Sequence, residues 1–434
     1  MPLREKSVLS SADIATLRYK SIGQRYVESQ SHSIMSSIRL TVASVVASVL
    51  RVTVSWLCLA VVFTGMTRIC PGYGTDLIQD YAAALVWLDG GFAYTELATL
   101  HARIGIEGPD ASMRVRHNPH PPAAILVTVP FAWQVPEFAK AIWLFPYWQL
   151  GFVALGWHWA RSLVPRPVNP WLWAILGSLI AVWTPLWQGL QWGQPGGLLL
   201  LLAVGTWQLA RGEARSWGYA LAFGLIFGLA CALRPYFAML VVVISVWPRR
   251  KVAAVVAMLA ILALVPFAIV GITPLGWYQI ATESERYIPE AASLVGPLHG
   301  SAAAGVTIYL LLTLMLGWAR WRGLSTDATL ALGLPAILIS YPLSWYYYDV
   351  ILVPVLVWLL GQAIVLDSRR TFWLGCGFVL LTAPPDLMPT PAMSSWLKLY
   401  EEHQPVSTLL ARFLLLFAVA NLLWERRDGL RSAF

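Results

Sequence analysis

A succession of apolar runs, with a short basic cluster in every second gap between them, constrains this chain more than any other feature. A segment of about 20 apolar residues in lipid satisfies its backbone only as a helix, so the chain must fold as an all-α, polytopic membrane bundle. The clusters are Arg161/Arg166, Arg211/Arg215, Arg249/Arg250/Lys251, Arg320/Arg322, Arg369/Arg370 and Arg426/Arg427/Arg431. Their alternation assigns them to the cytoplasm. Composition agrees: 58% of residues are hydrophobic and 12% charged, more apolar surface than a soluble domain needs. The net charge of +8 resides largely in those clusters. It therefore reads as an orientation signal and argues against a nucleic-acid partner.

With the sides fixed this way, the apolar runs read as about twelve spans with both ends inside. They cover residues 43–69, 139–160, 171–187, 190–210, 217–233, 236–247, 252–271, 302–318, 328–340, 350–365, 372–383 and 407–424. Residues 121–135 would reverse every later cluster if they crossed, so that segment is expected to be re-entrant or interfacial. The domain expectation is a cytoplasmic tail over 1–38, a transmembrane domain over 39–424 with outer loops at 70–138 and 272–301, and a second cytoplasmic tail over 425–434. Cys58, Cys70, Cys231 and Cys376 have neither metal nor redox spacing and read as small apolar residues.

The outer face carries the residues that invite chemistry. Asp76 and Asp80 lie four apart after the first run. On a helix beginning at Asp76 they share one face, at an end whose dipole favours negative charge. That is a general base awaiting a hydroxyl, or a capped helix. Arg116, His117 and His120 sit in a proline-rich loop. The two His lack Cys or Glu at ligand spacing, so no metal is expected, and the loop reads as a hydrogen-bonding surface for a polar substrate. Gln194 lies in a Gly-rich hinge that touches a sugar or merely turns the chain. Arg234, before Pro235, interrupts an apolar stretch, where it snorkels or clamps a phosphate. His299, among Glu283, Glu285, Arg286 and Glu290, belongs to a donor or acceptor pocket. The run Trp345, Tyr346, Tyr347, Tyr348, Asp349 fits an interfacial belt or sugar stacking.

In order along the chain, Asp76 with Tyr81 and Ala82 to Ala84, Gly90-Gly91 with Tyr94, His120-Pro121-Pro122, Gly193-Gln194, Arg234-Pro235, and Ser340, Pro342, Tyr348-Asp349 resemble the polyprenyl-phosphate-dependent glycosyltransferases of family 87. These are multi-pass enzymes of the GT-C class. The resemblance spans most of residues 70–365 and implies a GT-C-type bundle with outer loops and interfacial helices. It implies Asp76 as the base and a sugar on a polyprenyl phosphate as donor. Two departures stand out: the basic residue before Pro is often Lys and here is Arg234, and some relatives carry His near the late motif where this chain has Tyr346 to Tyr348.

The resulting expectation is an inner-membrane hexosyltransferase, mannosyl being the first choice, that acts on a lipid or glycan acceptor at the periplasmic or exterior face. Asp76 is its catalytic residue. Asp80, Arg116, His117, His120, Gln194, Arg234, His299, Tyr348 and Asp349 are its substrate-binding residues. The donor is a co-substrate, no cofactor is expected, and a metal is not obligatory. The alternatives are a flippase or transporter of lipid-linked sugars, using the same pocket without a base, and a membrane scaffold subunit.

Overall fold

In a computed structural model of the chain, the described residues are 75–105, 117–164, 173, 176–177, 180, 183–191, 193–212, 215–282, 291–296, 301–382 and 393–432. They form an all-α molecule whose only extended pairing is one isolated bridge, Glu96 to His117. The α-helices, in chain order, are α1 (Thr75–Leu88), α2 (Leu97–Arg103), α3 (Pro122–Gln134), α4 (Phe138–Ala160), α5 (Thr184–Gln191), α6 (Gly196–Arg211) and α7 (Trp217–Leu233). Then come α8 (Arg249–Val270), α9 (Pro274–Thr282), α10 (Ala302–Trp321), α11 (Thr326–Ser340), α12 (Val353–Val365), α13 (Arg369–Thr382) and α14 (Met393–Ser432).

Local chemistry sets many of the boundaries. Ser216, Ser301 and Ser325 each accept a backbone N–H from three residues on and so start α7, α10 and α11. Gly271, at φ +79°, ends α8 in the left-handed conformation. Pro235 forces Arg234 into an extended backbone and ends α7.

Among the described residues four stretches are long and apolar enough to cross a membrane: Arg249–Val270, Ala302–Trp321, Tyr348–Val365 and Pro405–Arg426. The first two bury few of their residues, whereas Tyr348–Val365 is nearly all buried. Leu264, Leu314 and Met315 lie on those open faces, each more than half exposed, as expected of surface that faces lipid.

Several of the expected spans take other forms. The span at 43–69 lies outside the described residues. Residues 190–210 divide into the end of α5, a turn, and α6. Of residues 236–247, all but the C-capping Trp247 fall in a twelve-residue 3-10 helix, Pro235–Val246. The run Val241, Val242, Val243, Ile244 is rich in β-branched side chains that lose rotamer freedom in an α-helix. At about 2 Å rise per residue the 3-10 form stretches these twelve residues over roughly 24 Å. Residues 121–135 form α3, which at about 20 Å is shorter than the roughly 30 Å hydrocarbon layer.

Two apolar clusters organise the packing. The larger one surrounds α12 and includes the fully buried Trp183, Trp207 and Trp358. The smaller one joins α1, α2, α3 and the start of α4 through Leu77, Tyr81, Leu100, Phe131 and Phe145, and takes in Val270 at the end of α8. In the larger cluster α7 lies close on α8, where Gly224 and Gly228 face Met258 and Leu262 without room for a methyl group at Gly228.

Ion pairs tie the helices at both ends. Near the end assigned to the cytoplasm, Arg211 on α6 makes a forked contact with Asp327 on α11 at 2.6 and 2.9 Å, and Trp207 donates to the same carboxylate. At the opposite end Arg412 on α14 and Asp349 are both fully buried and meet at 2.7 Å. Arg412 also donates to the carbonyls of Ala292, Leu338 and Trp345 and to Ser344 Oγ. One guanidinium thus joins α14 to α11 and to the segments 291–296 and 341–345. Removing it as Arg412→Met strands Asp349, and the expected cost is about 3–5 kcal/mol. Thermal unfolding in detergent measures this loss, and the double variant Asp349→Asn/Arg412→Met is expected to regain part of it.

Candidate functional site

Helix α1 puts Leu77, Asp80, Tyr81 and Ala84 on a buried face, the spacing of one helical stripe. Asp76 is its second residue, with a side chain outside the described residues. Beyond α1 the chain doubles back, and the Glu96–His117 bridge sets residues 117–120 beside it. Prolines at 119, 121 and 122 restrict that loop.

The loop delivers Asn118 and His120 to Asp80. Asn118 Nδ2 donates to Asp80 Oδ1 at 2.8 Å, and His120 Nδ1 lies 3.0 Å from both carboxylate oxygens. The backbone N–H of His120 donates to Asn118 Oδ1 at 3.0 Å. Its carbonyl accepts the Tyr94 hydroxyl at 2.6 Å and the Trp277 indole N–H of α9 at 3.0 Å. Burial acts to raise the Asp80 pKa, but the His120 charge, hydrogen bonds from His120 and Asn118, and the more distant Arg234 outweigh it and hold the carboxyl below its ordinary 3.8. Burial, reinforced by Asp80, pushes the Tyr94 phenol well up, so it stays a donor. Asp80 is therefore ionised at neutral pH. The pairing it makes stabilises the fold above the unfolded carboxylate value and is lost only as pH falls through the lower folded one.

Across from this cluster, Arg234 is buried at the junction of α7 and the 3-10 helix. Its Nη2 donates to Gln194 Oε1 at 2.6 Å and its Nη1 to the Leu233 carbonyl at 3.3 Å, and its guanidinium lies 5.6 Å from the Tyr348 ring centre. No carboxylate of a described residue pairs with it. Its Nε has no hydrogen-bond partner among the described residues, and neither does the buried hydroxyl of Tyr236 nor the Nε2 of Gln149. Tyr236 packs on Tyr348 and Tyr341 at 5.9 and 4.8 Å between ring centres.

A small, narrow cleft opens where the two apolar clusters meet, lined by Leu77, Asp80, Thr128, Gln149, Gly193 and Leu233 among others. Two close approaches shape it. Gly193, at φ +74°, abuts Leu77 so tightly that a methyl group there would lie 2.2 Å from Leu77 Cβ and 2.8 Å from its backbone nitrogen. At Gly197 a methyl would meet the Gln149 carbonyl at 2.2 Å. Gln149 in turn caps α6, accepting the Leu198 N–H at 3.1 Å.

Of the residues singled out in the sequence, the structure brings Asp80 to His120 and Gln194 to Arg234 with Tyr348. His117 lies in the bridge beside them. Asp349 places Oδ1 on Arg412, a contact that ties helices together, while its buried Oδ2 has no hydrogen-bond partner among the described residues. Arg116, His299 and the Asp76 side chain lie outside the described residues. Sequence reasoning passed over Asn118, Gln149 and Arg412. The last had a clear signal, an arginine inside the apolar run 407–424. Among the described residues no three His, Cys, Asp or Glu side chains gather as around a metal ion.

Chemically the arrangement offers an ionised Asp80 hydrogen-bonded to His120, a buried cation and several unused donors, with Asp80, Gln149, Gly193 and Leu233 lining the cleft between them. The expected result of Gly193→Ala is a loss of roughly 1–3 kcal/mol from overpacking and backbone strain, read as a lower unfolding temperature, with binding in the cleft weakened in parallel. Compared with protein-family models, curated proteins and solved structures, the chain matches none of them.

Proposed function

We propose that the protein is an integral membrane glycosyltransferase that moves a hexosyl unit, mannosyl as first choice, from a polyprenyl-phosphate sugar to a lipid or glycan acceptor. Its site faces the outside of the cell's inner (plasma) membrane, within a GT-C-type bundle of about twelve spans. The observation that carries this reading is Arg234. A buried arginine without a carboxylate is costly unless an anion reaches it. The unused Nε of Arg234, the Tyr236 hydroxyl and the Gln149 amide are buried donors, which a phosphate with its several acceptor oxygens would satisfy. The long apolar helices supply the surroundings a prenyl chain needs.

In this reading Arg234 and Gln194 bind the donor phosphate and stabilise the charge that builds as it departs. Tyr348 covers the guanidinium. A base on the acceptor side takes the hydroxyl proton, the role that the family resemblance gives to Asp76. In-line attack opposite the phosphate inverts the anomeric carbon. The phosphate is already a good leaving group, so a divalent metal is not obligatory.

Transfer of labelled sugar from synthetic polyprenyl-phosphate mannose by the purified protein in nanodiscs tests the reading. Arg234→Ala is expected to lower turnover on the order of 10²–10³-fold, with Arg234→Lys in between because it keeps the charge and loses the fork. Donor binding with no turnover for any member of a panel of prenyl-phosphate hexoses, supplied with a total lipid extract as acceptor, would favour a transporter instead.

A further inference from the structure

The glycosyltransferase reading needs a proton acceptor on the side of the cleft opposite Arg234. We infer that this acceptor is Nε2 of His120, with Asp80 as its positioning residue. The inference rests on that functional reading and departs from the resemblance, which assigns the base to Asp76.

Asp80 is not a free base. Both of its oxygens face His120 Nδ1 at 3.0 Å, and one also takes the Asn118 amide. An ionised carboxylate only accepts, so His120 Nδ1 must carry the hydrogen between them. The lone pair of the neutral ring is then on Nε2, which has no partner among the described residues. The His120 side chain is 14% exposed against 7% for Asp80, so the imidazole is the open member of the pair.

The ring is also held more firmly than a loop residue needs for packing. Its backbone N–H goes to Asn118, and its carbonyl is pinned by Tyr94 from the segment after α1 and by Trp277 from α9. Fixing the main chain on both sides of a side chain with one free nitrogen is what preorganised proton transfer requires. Asp80 lines the cleft that reaches Gly193 and Leu233, which flank Gln194 and Arg234. The charged groups bearing on the ring from the described elements are Asp80 on α1, in contact, and Arg234 beyond it, whose charge reaches Asp80.

The step is balanced. The acceptor oxygen forms a bond to the anomeric carbon as the bond from that carbon to the phosphate oxygen breaks, and its electron pair leaves on the phosphate. The hydroxyl proton passes to His120 Nε2. The imidazolium so formed is paired with the Asp80 carboxylate and then releases its proton to water at the outer face.

The test uses full-length protein in nanodiscs, labelled polyprenyl-phosphate hexoses beginning with mannose, and a total lipid extract as acceptor. Wild type, His120→Ala, His120→Gln, Asp80→Asn and Asp76→Asn are compared with and without added imidazole. Donor binding and unfolding temperature are recorded for each. The expected result is a loss of about 10²–10⁴-fold in kcat for His120→Ala and His120→Gln with donor binding kept. Imidazole should restore His120→Ala saturably, by about tenfold or more, and leave Asp76→Asn unchanged. His120→Gln retains a donor toward Asp80, so its loss is not one of folding. Wild-type transfer with His120→Gln active within about threefold, or with a folded, donor-binding His120→Ala that imidazole fails to restore, overturns this inference alone. Absence of transfer in wild type across the panel overturns the glycosyltransferase reading and this inference with it.

Discussion

A charge withdrawn from water into a bundle of apolar helices must meet an opposite charge or a full set of hydrogen bonds, and this constraint orders the whole molecule. Arg412 meets it with Asp349 and four further acceptors, and in doing so joins α14 to α11 and to the segments that hold Ala292, Ser344 and Trp345. Arg211 meets it with Asp327 at the other end. Asp80 meets it with His120 and Asn118. Arg234 does not: a neutral amide, one carbonyl and a tyrosine face are its surroundings. The one buried cation among these left without an anion follows Leu233, which lines the cleft. The same constraint that explains the structural ion pairs therefore directs attention to a ligand.

Close packing places the two sides of that cleft. Gly193 lets the turn before α6 lie against the first residues of α1, and Gly197 lets α6 lie against Gln149. Gln194 follows Gly193 directly, so the contact that fixes the turn also fixes the amide that holds Arg234. The smaller apolar cluster carries the Asp–His pair and the larger one carries the cation. A ligand bridging them touches both kinds of chemistry at once.

Much of the fold was legible along the chain because membrane helices are written locally. The run at 217–233 coincides with α7, since a Ser cap and an Arg-Pro junction mark its two ends. The 3-10 form of Pro235–Val246 was not legible, because apolar composition states that a segment is buried and says little of its winding. At the site, the individual residues Asp80, His120, Gln194 and Arg234 stood out by type and setting. Their pairing did not, since each pair is 40 residues apart in sequence. Asp349 was read as a substrate contact because it follows four aromatics. Its ion-pair partner Arg412 lies 63 residues later, so the contact that Asp349 Oδ1 makes was not legible either.

The central claim is that one outer-face cleft holds a lipid phosphate at Arg234 with the Asp80–His120 pair opposite. An experimental structure of the protein in nanodiscs with a non-transferable polyprenyl-phosphate sugar analogue tests it most directly. The account predicts phosphate density within hydrogen-bond reach of the Arg234 guanidinium and the sugar lying toward His120. Analogue density away from Arg234, or an Arg234 that keeps only its Gln194 and Leu233 contacts while the analogue is bound elsewhere, would contradict it.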